Sequence, residues 1–337
     1  MLLITAYLIG ILLLPVQENI KNISEWKVFS WPEKIIAVFV KKEAPSQKEN
    51  DVEAVEINPK ELAQLPKVPR SKDNKKKDNE MVIWAKKAIV MEAQSDKILY
   101  QDKILESHQI ASITKIMTAL VLMDLVKDWD EKVQISSYAA SAGGATVHFL
   151  YGENFYSKDL FKAMLMNSDN TAARALAEHY AGDEQKFVDL MNEKAKALNF
   201  KNTRFADAAG LNDDDRSYSC AYDVALMAKE AMKYPLILET MQIPSHIQIT
   251  SCDEFQNTHQ VGNTNKLLGQ YAGMLGAKTG FTYEAGYCLM MMREIEGKGK
   301  VIGVLLDAGE LGRWTEMQKM LDWAYDRYSW SVFPKDK

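Results

Sequence analysis

Ala111-Ser-Ile-Thr-Lys-Ile-Met-Thr-Ala119 is the stretch from which the rest of the chain can be read. Ile113–Leu125 has the pattern of a long helix, and Ser112 stands at its start, where a hydroxyl is favoured. A spacing of three puts Ser112 and Lys115 on one face, a single turn apart. A serine hydroxyl is a poor nucleophile until a base takes its proton. A lysine can do so if burial lowers its pKa toward neutrality. The helix N-terminus adds a positive field and amide donors suited to an oxyanion. Alone, the pattern is weak. Ser24-Glu-Trp-Lys27 matches it as well, and the common meaning of such a match is a helix cap with a solvated lysine.

Two further elements change the weighing. Ser168-Asp-Asn170 opens a second helical stretch, Thr171–Tyr180, and by itself would be an N-cap sequence. Lys278-Thr-Gly280 heads a late strand just after Gly273 and Gly276, and its glycine leaves room for a ligand backbone alongside. Ser-x-x-Lys, Ser-x-Asn and Lys-Thr-Gly, in that order, form the set of the penicillin-binding proteins and class A β-lactamases. The longer strings Met166-Asn-Ser-Asp-Asn-Thr-Ala-Ala173 and Gly276-Ala-Lys-Thr-Gly-Phe-Thr-Tyr-Glu-Ala-Gly-Tyr-Cys-Leu289 resemble the serine D-Ala-D-Ala carboxypeptidases, the low-molecular-mass penicillin-binding proteins of peptidase family S11. So does Thr203-Arg-Phe-Ala-Asp-Ala-Ala-Gly-Leu211, although the family's usual proline is Ala here. The resemblance covers nearly all of residues 82–330.

That resemblance implies an α/β (α+β) fold of β-lactamase/DD-peptidase type, an antiparallel sheet flanked by helices plus a helical subdomain. It makes Ser112 the nucleophile and Lys115 the general base. It has Ser168 relay a proton to the leaving amine and Asn170 hold the substrate amide or Lys115. Lys278 and Thr279 of the Lys-Thr-Gly280 strand would hold the substrate's terminal carboxylate, and the backbone N–H groups of Ser112 and Phe281 would form the oxyanion hole. The implied partners are peptidoglycan stem peptides as substrate and β-lactam antibiotics as covalent inhibitors.

The periodicity around these motifs agrees with such a fold. Ala88–Tyr100 reads as two β-prone runs about a Ser95-Asp96 turn. Helical patterns follow at about 112–127, 157–180, 184–198 and 222–233, then strands at Lys278–Thr282, Ala285–Glu294 and Val301–Leu306. An amphipathic helix, Trp314–Tyr328, closes the chain. A hairpin first and an antiparallel group last suggest one sheet assembled from both ends of the domain.

Composition assigns the remainder. Sixteen of the 17 glycines lie after residue 142, whereas residues 41–80 contain four prolines, no aromatic residue and a nearly pure charge run at 71–80. Such a segment cannot bury enough apolar surface to offset its ordering entropy, and reads as a solvated tether. Leu2–Val16 holds 15 uncharged residues, short for a bilayer span of about 20 and long enough for an export h-region, but without a basic residue ahead or a small-x-small site behind. We therefore expect a hydrophobic signal/anchor region at 1–40, a tether at 41–80 and a catalytic domain at 82–337, placed outside the cytoplasm and attached to the membrane through the N-terminus. Many relatives continue into a small β-domain and a C-terminal amphipathic helix, which this anchor would replace.

Several classes are disfavoured. With 41 basic and 46 acidic residues the formal charge is -5, without the basic surplus of a nucleic-acid binder. Three cysteines and five histidines without metal-ligand spacing suggest neither a disulfide framework, a metal site nor a cofactor. Cys288, Trp314 and the methionine stripes (Met164, Met166, Met290–Met292) read as core. A class A β-lactamase would add Glu-x-x-Leu-Asn for deacylation; the nearest string is Asp207-Ala-Ala-Gly-Leu-Asn212. A DD-endopeptidase that cuts cross-links stays open, since Ser-Ile-Thr-Lys and Asn263-Thr-Asn265 resemble that branch. A wall-binding module without catalysis would have lost a catalytic residue, and none is missing. Transpeptidation is disfavoured because the large transpeptidases carry additional domains.

Overall fold

The computed structural model of the chain describes residues 29–31, 34–36, 81–211, 217–328 and 330. The chain divides into two units, Met1–Glu56 and Ile57–Lys337. In the first, β1 (Phe29–Trp31) pairs antiparallel with β2 (Lys34–Ile36). The rest of the expected anchor region and the whole of the tether at 41–80 lie outside the described residues. Among the described residues, no helix is long and apolar enough to cross a membrane.

The second unit begins with β3 (Lys87–Glu92) and β4 (Ile98–Asp102), joined by a turn in which Asp96 takes a φ of 59°. Helix α1 (Lys115–Leu125) follows, then β5 (Lys132–Gln134), α2 (Ser137–Ala140) and β6 (Asn154–Tyr156). Next come α3 (Ser157–Met166), α4 (Asn170–Ala181), α5 (Glu184–Ala197), α6 (Ala221–Ala231) and α7 (Pro235–Met241). The chain ends in β7 (Ile247–Thr250), β8 (Thr258–Val261), β9 (Met274–Thr282), β10 (Gly286–Ile295), β11 (Gly299–Ala308) and α8 (Gly312–Arg327).

Five strands form one antiparallel sheet in the order β4-β3-β11-β10-β9. Strand β3 from the start of the domain lies against β11 from its end, with Ile89 opposite Val304 and Met91 opposite Ile302. Side chains alternate across this sheet with period two. Ile89, Met91, Met290, Met292, Ile302 and Val304 join the helical core. Ala88, Val90, Leu289, Met291, Val301 and Leu305 face the layer of Met317, Met320, Leu321 and Ala324 from α8. Central strands buried on both faces explain why their sequences read as continuous apolar runs. At roughly 1.5–3 kcal/mol for each large aliphatic side chain fully removed from water, these two seams dominate the driving force for folding. Cys288, Trp314 and all the methionines expected in the core are buried.

Three expectations need correction. The region 157–180 is two helices, because Ser168 takes a φ of 66° and Asp169 caps α4 by accepting from Ala172 N at 2.7 Å. Lys278 lies mid-strand, since β9 starts at Met274. The pairs β5–β6 and β7–β8 were not anticipated, as strands of three or four residues carry no readable alternation.

Candidate active site

Ser112 sits in a 3-10 turn, Ala111–Thr114, that runs into α1. Its hydroxyl makes no capping bond, contrary to the cap expectation. Ala111 is held at a φ of 46°, a left-handed conformation that costs a non-glycine residue energy and is tolerated where surroundings fix it. The clamp is Gly210, at a φ of 75°, so close that a Cβ there would stand 2.0 Å from the Ala111 carbonyl oxygen. Only glycine fits both conditions.

Lys115, the first residue of α1, is fully buried. Its Nζ lies 2.9 Å from Ser112 Oγ, 2.6 Å from Asn170 Oδ1 and 2.7 Å from the Ala209 carbonyl oxygen. Burial draws its pKa from 10.5 down to about 7, opposed by the anionic Asp207 and Asp169. The Asn170 and Ala209 oxygens can only accept, whereas a serine hydroxyl can donate. A neutral amine therefore spends both N–H groups on those two oxygens and turns its lone pair to the Ser112 hydroxyl. That is the geometry of a general base.

Asn170 is fixed by two further bonds, Nδ2 donating to Gly143 O at 2.7 Å and N to Ala145 O at 2.8 Å. Asp169 accepts from Val147 N at 2.6 Å, so the loop at 143–147 is tied to the head of α4. Burial pushes the Asp169 carboxyl up. The positive φ of Ser168 turns its hydroxyl away from the helix toward β9, where it accepts from Lys278 Nζ at 2.8 Å. Lys278 also donates to Thr279 O at 3.1 Å. Burial, then the nearby Lys115 and Arg313 cations, hold its pKa well below the usual lysine range.

Strand β9 is the edge of the sheet and abuts the turn that carries Ser112. A Cβ on Gly280 would stand 2.5 Å from Ile110 O and 3.3 Å from Ser112 N. This glycine is thus required by the domain's own backbone, not by a ligand alone, and it brings Phe281 beside Ser112. Phe281 is 44% exposed and stacks on Tyr287 with ring centroids 4.3 Å apart.

All eight residues singled out from the sequence fall in this region, and others join them. The Ala209 carbonyl is a Lys115 partner that no side-chain motif reveals. Thr264, inside Asn263-Thr-Asn265, places its hydroxyl 3.3 Å from that of Thr279 and donates its N–H to Met166 O at 2.9 Å. Arg313, at the start of α8, is buried, and its Nε and one terminal nitrogen have no hydrogen-bond partner among the described residues. Its guanidinium stands 4.8 Å over the Tyr287 ring. A lone arginine in an amphipathic helix carries no sequence signal of this placement. No group of three or more metal-binding side chains occurs among the described residues.

A serine hydroxyl beside an amine of depressed pKa, between an all-helical layer and the edge of an antiparallel sheet, defines an acyl-transferring serine enzyme of the DD-peptidase/β-lactamase class. Residues 73–310 match the family model for D-alanyl-D-alanine carboxypeptidase, Peptidase_S11. The chain belongs to that family, peptidase family S11. It is 36% identical over 264 residues to the D-alanyl-D-alanine carboxypeptidase DacF of Bacillus subtilis (strain 168), covering 77% of this chain and 66% of that one. It is 31% identical over 245 residues to a D-alanyl-D-alanine endopeptidase of Escherichia coli (strain K12), covering 69% and 78%. The Streptomyces K15 DD-transpeptidase superposes with a TM-score of 0.68 at 26% identity, covering 73% of this chain and 98% of that one. The chain thus spans about two thirds of the length of the B. subtilis relative.

Proposed function

We propose that the protein is a serine DD-peptidase that removes the terminal D-Ala from peptidoglycan stem pentapeptides through an acyl-enzyme on Ser112. The observation that carries this reading is the bonding of buried Lys115 Nζ to Ser112 Oγ, Asn170 Oδ1 and Ala209 O. In the first step Lys115 takes the Ser112 proton as Oγ attacks the carbonyl of the penultimate D-Ala. The oxyanion is met by the N–H groups of Ser112 and Phe281. The C–N bond then breaks, the leaving amine of D-Ala takes a proton delivered through Ser168, and a peptidyl ester remains. Water next attacks the ester and releases the shortened peptide and free Ser112.

The terminal carboxylate is held by Lys278, Thr279 and Arg313. The buried, partnerless guanidinium nitrogens of Arg313 support this, because such groups are costly until an acceptor arrives. β-Lactams mimic the same acyl donor and acylate Ser112. Asp207, the nearest counterpart of the β-lactamase deacylating carboxylate, has Oδ1 taken up by the N–H groups of Ala209, Gly210 and Leu211. The penicilloyl ester therefore persists. Cleavage of D-Ala cross-links is the second reading, favoured by the likeness to the E. coli endopeptidase. Peptidoglycan lies outside the cytoplasm, so the site works there, with the apolar Leu2–Val16 stretch and the charged segment at 41–80 serving as anchor and tether.

The test is mass spectrometry of purified peptidoglycan digested by the protein, with Ser112→Ala as control. Loss of one D-Ala from monomeric pentapeptides supports the carboxypeptidase, and conversion of dimers to monomers the endopeptidase. No change in either, with no labelling of Ser112 by fluorescent penicillin, would overturn both.

A further inference from the structure

We propose that Asp207 is a positioning residue for acylation, its carboxylate folding Ala209–Leu211 so that the Ala209 carbonyl and a fixed negative charge both face Lys115. The inference rests on the reading of Ser112 as nucleophile and Lys115 as its base.

The geometry is that of a short loop pinned on both sides. Asp207 is buried, and Oδ1 accepts from Ala209 N at 2.7 Å, Gly210 N at 2.5 Å and Leu211 N at 3.1 Å. Three successive N–H groups converging on one oxygen fix the direction of the intervening carbonyls. The Ala209 carbonyl, so directed, meets Lys115 Nζ, and the Ala208 carbonyl accepts from Thr118 Oγ1 at 2.6 Å. From the other side, buried Glu184 at the head of α5 accepts from Ala208 N at 2.9 Å. The same loop presents Gly210 to the strained Ala111 beside the nucleophile. One carboxylate thus organises both the base and the residue before the serine.

Charge enters alongside position. The charged groups around Lys115 come from several elements: Asp169 and Arg174 from the head of α4, Asp207 from this loop and Lys278 from β9, with Glu184 of α5 3.8 Å from Arg174. Asp207 and Asp169 favour the ammonium of Lys115 against burial, whereas Arg174 disfavours it. A carboxylate near the amine keeps it basic enough to hold the Ser112 proton. An uncharged acceptor at the same place would keep the loop but not that effect.

Asp207→Asn separates the two, because the amide oxygen can still accept the three N–H groups. The measurement is the acylation rate with a fluorescent penicillin from pH 5 to 9, alongside the thermal midpoint. With the anion gone, Lys115 loses its proton more readily. The acid limb should move down by about 0.5–1 pH unit, and the plateau should fall because a weaker base takes the serine proton. Arg174→Gln should move the limb up. Shifts of opposite sign are beyond a merely structural role. If Asp207→Asn does not fold, Asp207→Glu, which keeps the anion but moves the oxygen that the three N–H groups share, decides: a limb that stays in place with a lowered plateau supports the inference, and a profile identical to the parent overturns it. An Asp207→Asn profile that coincides with the parent would overturn the inference while leaving the DD-peptidase reading intact. Continued labelling of Ser112→Ala would instead sink that reading.

Discussion

Lys115 holds a buried amine that gives up its proton near neutrality, where an ordinary lysine does so only near pH 10.5. With Lys115 as the proposed base, its folded pKa of about 7 would set the pH dependence of acylation. Below that value the ammonium has no lone pair and Ser112 keeps its proton; above it the base is free. The acylation rate with penicillin should therefore rise through an apparent pKa near 7 and then level off. Lys115→Arg, which stays protonated throughout, should lose roughly 10³-fold at neutral pH. A rate flat from pH 5 to 9 would remove Lys115 from the role of base. Arg313 presents a second expectation at this scale. Two of its buried nitrogens have no partner among the described residues, so a substrate carboxylate gains charge-assisted bonds there. Arg313→Ala should lower kcat/KM for a peptide ending in D-Ala-D-Ala about 10²-fold. The same variant should lose its preference for the free acid over the C-terminal amide, measured by D-Ala release and amide cleavage.

Strand β9 is the element on which site and fold depend together, because its register decides where Lys278, Thr279 and Phe281 stand relative to Ser112. Gly280 lets the strand approach the 110–112 turn. Gly280→Ala would force a Cβ to within 2.5 Å of Ile110 O, and the strand must retreat. Displacement of Lys278 and Thr279 by even about 1 Å would cost on the order of 10² in rate if they hold the substrate as proposed, so acylation should drop by that order while the circular dichroism spectrum is retained. Gly309→Ala, where the nearest atom to a Cβ is 3.8 Å away, is the matched control and should acylate normally. Much of this element was legible in advance. Lys278, Thr279 and Gly280 form a string that occurs once, and β10 and β11 read as strands at Ala285–Glu294 and Val301–Leu306. The role of Gly280 was not legible, since a glycine beside a ligand and one beside a neighbouring turn look the same in a sequence. The break at Ser168 was legible in part: Ser168-Asp-Asn170 reads as a cap sequence opening Thr171–Tyr180, and Asp169 does cap that helix, but the left-handed turn of Ser168 carries no sequence signal. Ala209 and Arg313 belong to the same category, because one acts through its backbone and the other through contacts between distant elements.

Across the whole molecule, the buried ionisable groups make stability a function of pH with two opposing limbs. Lys115 has a folded pKa of about 7 and Lys278 one well below 10.5, so between their folded values and 10.5 the unfolded chain binds protons that the native state does not. Stability rises with pH wherever the unfolded state holds more protons. Cys220, Cys288, Tyr271 and Tyr325 act in the other direction. Burial pushes Cys288 from 9.0 up to about 12 and raises the other three as well. Above pH 9 to 10 the unfolded thiols and phenols ionise while the native ones resist, and stability falls. The two lysines carry the rising limb because they serve the site, whereas the cysteines and tyrosines belong to the core and to the Arg293–Tyr271–Asp322 network under α8. The thermal midpoint, followed by differential scanning calorimetry from pH 6 to 11, should climb above neutrality, peak at about pH 9 and decline. In a Lys115→Met/Lys278→Met variant the climb should disappear and the decline remain. A parent protein whose midpoint is level or falling between pH 7 and 9 would mean that both lysines are protonated in the native state, and a base assignment for Lys115 could not then stand.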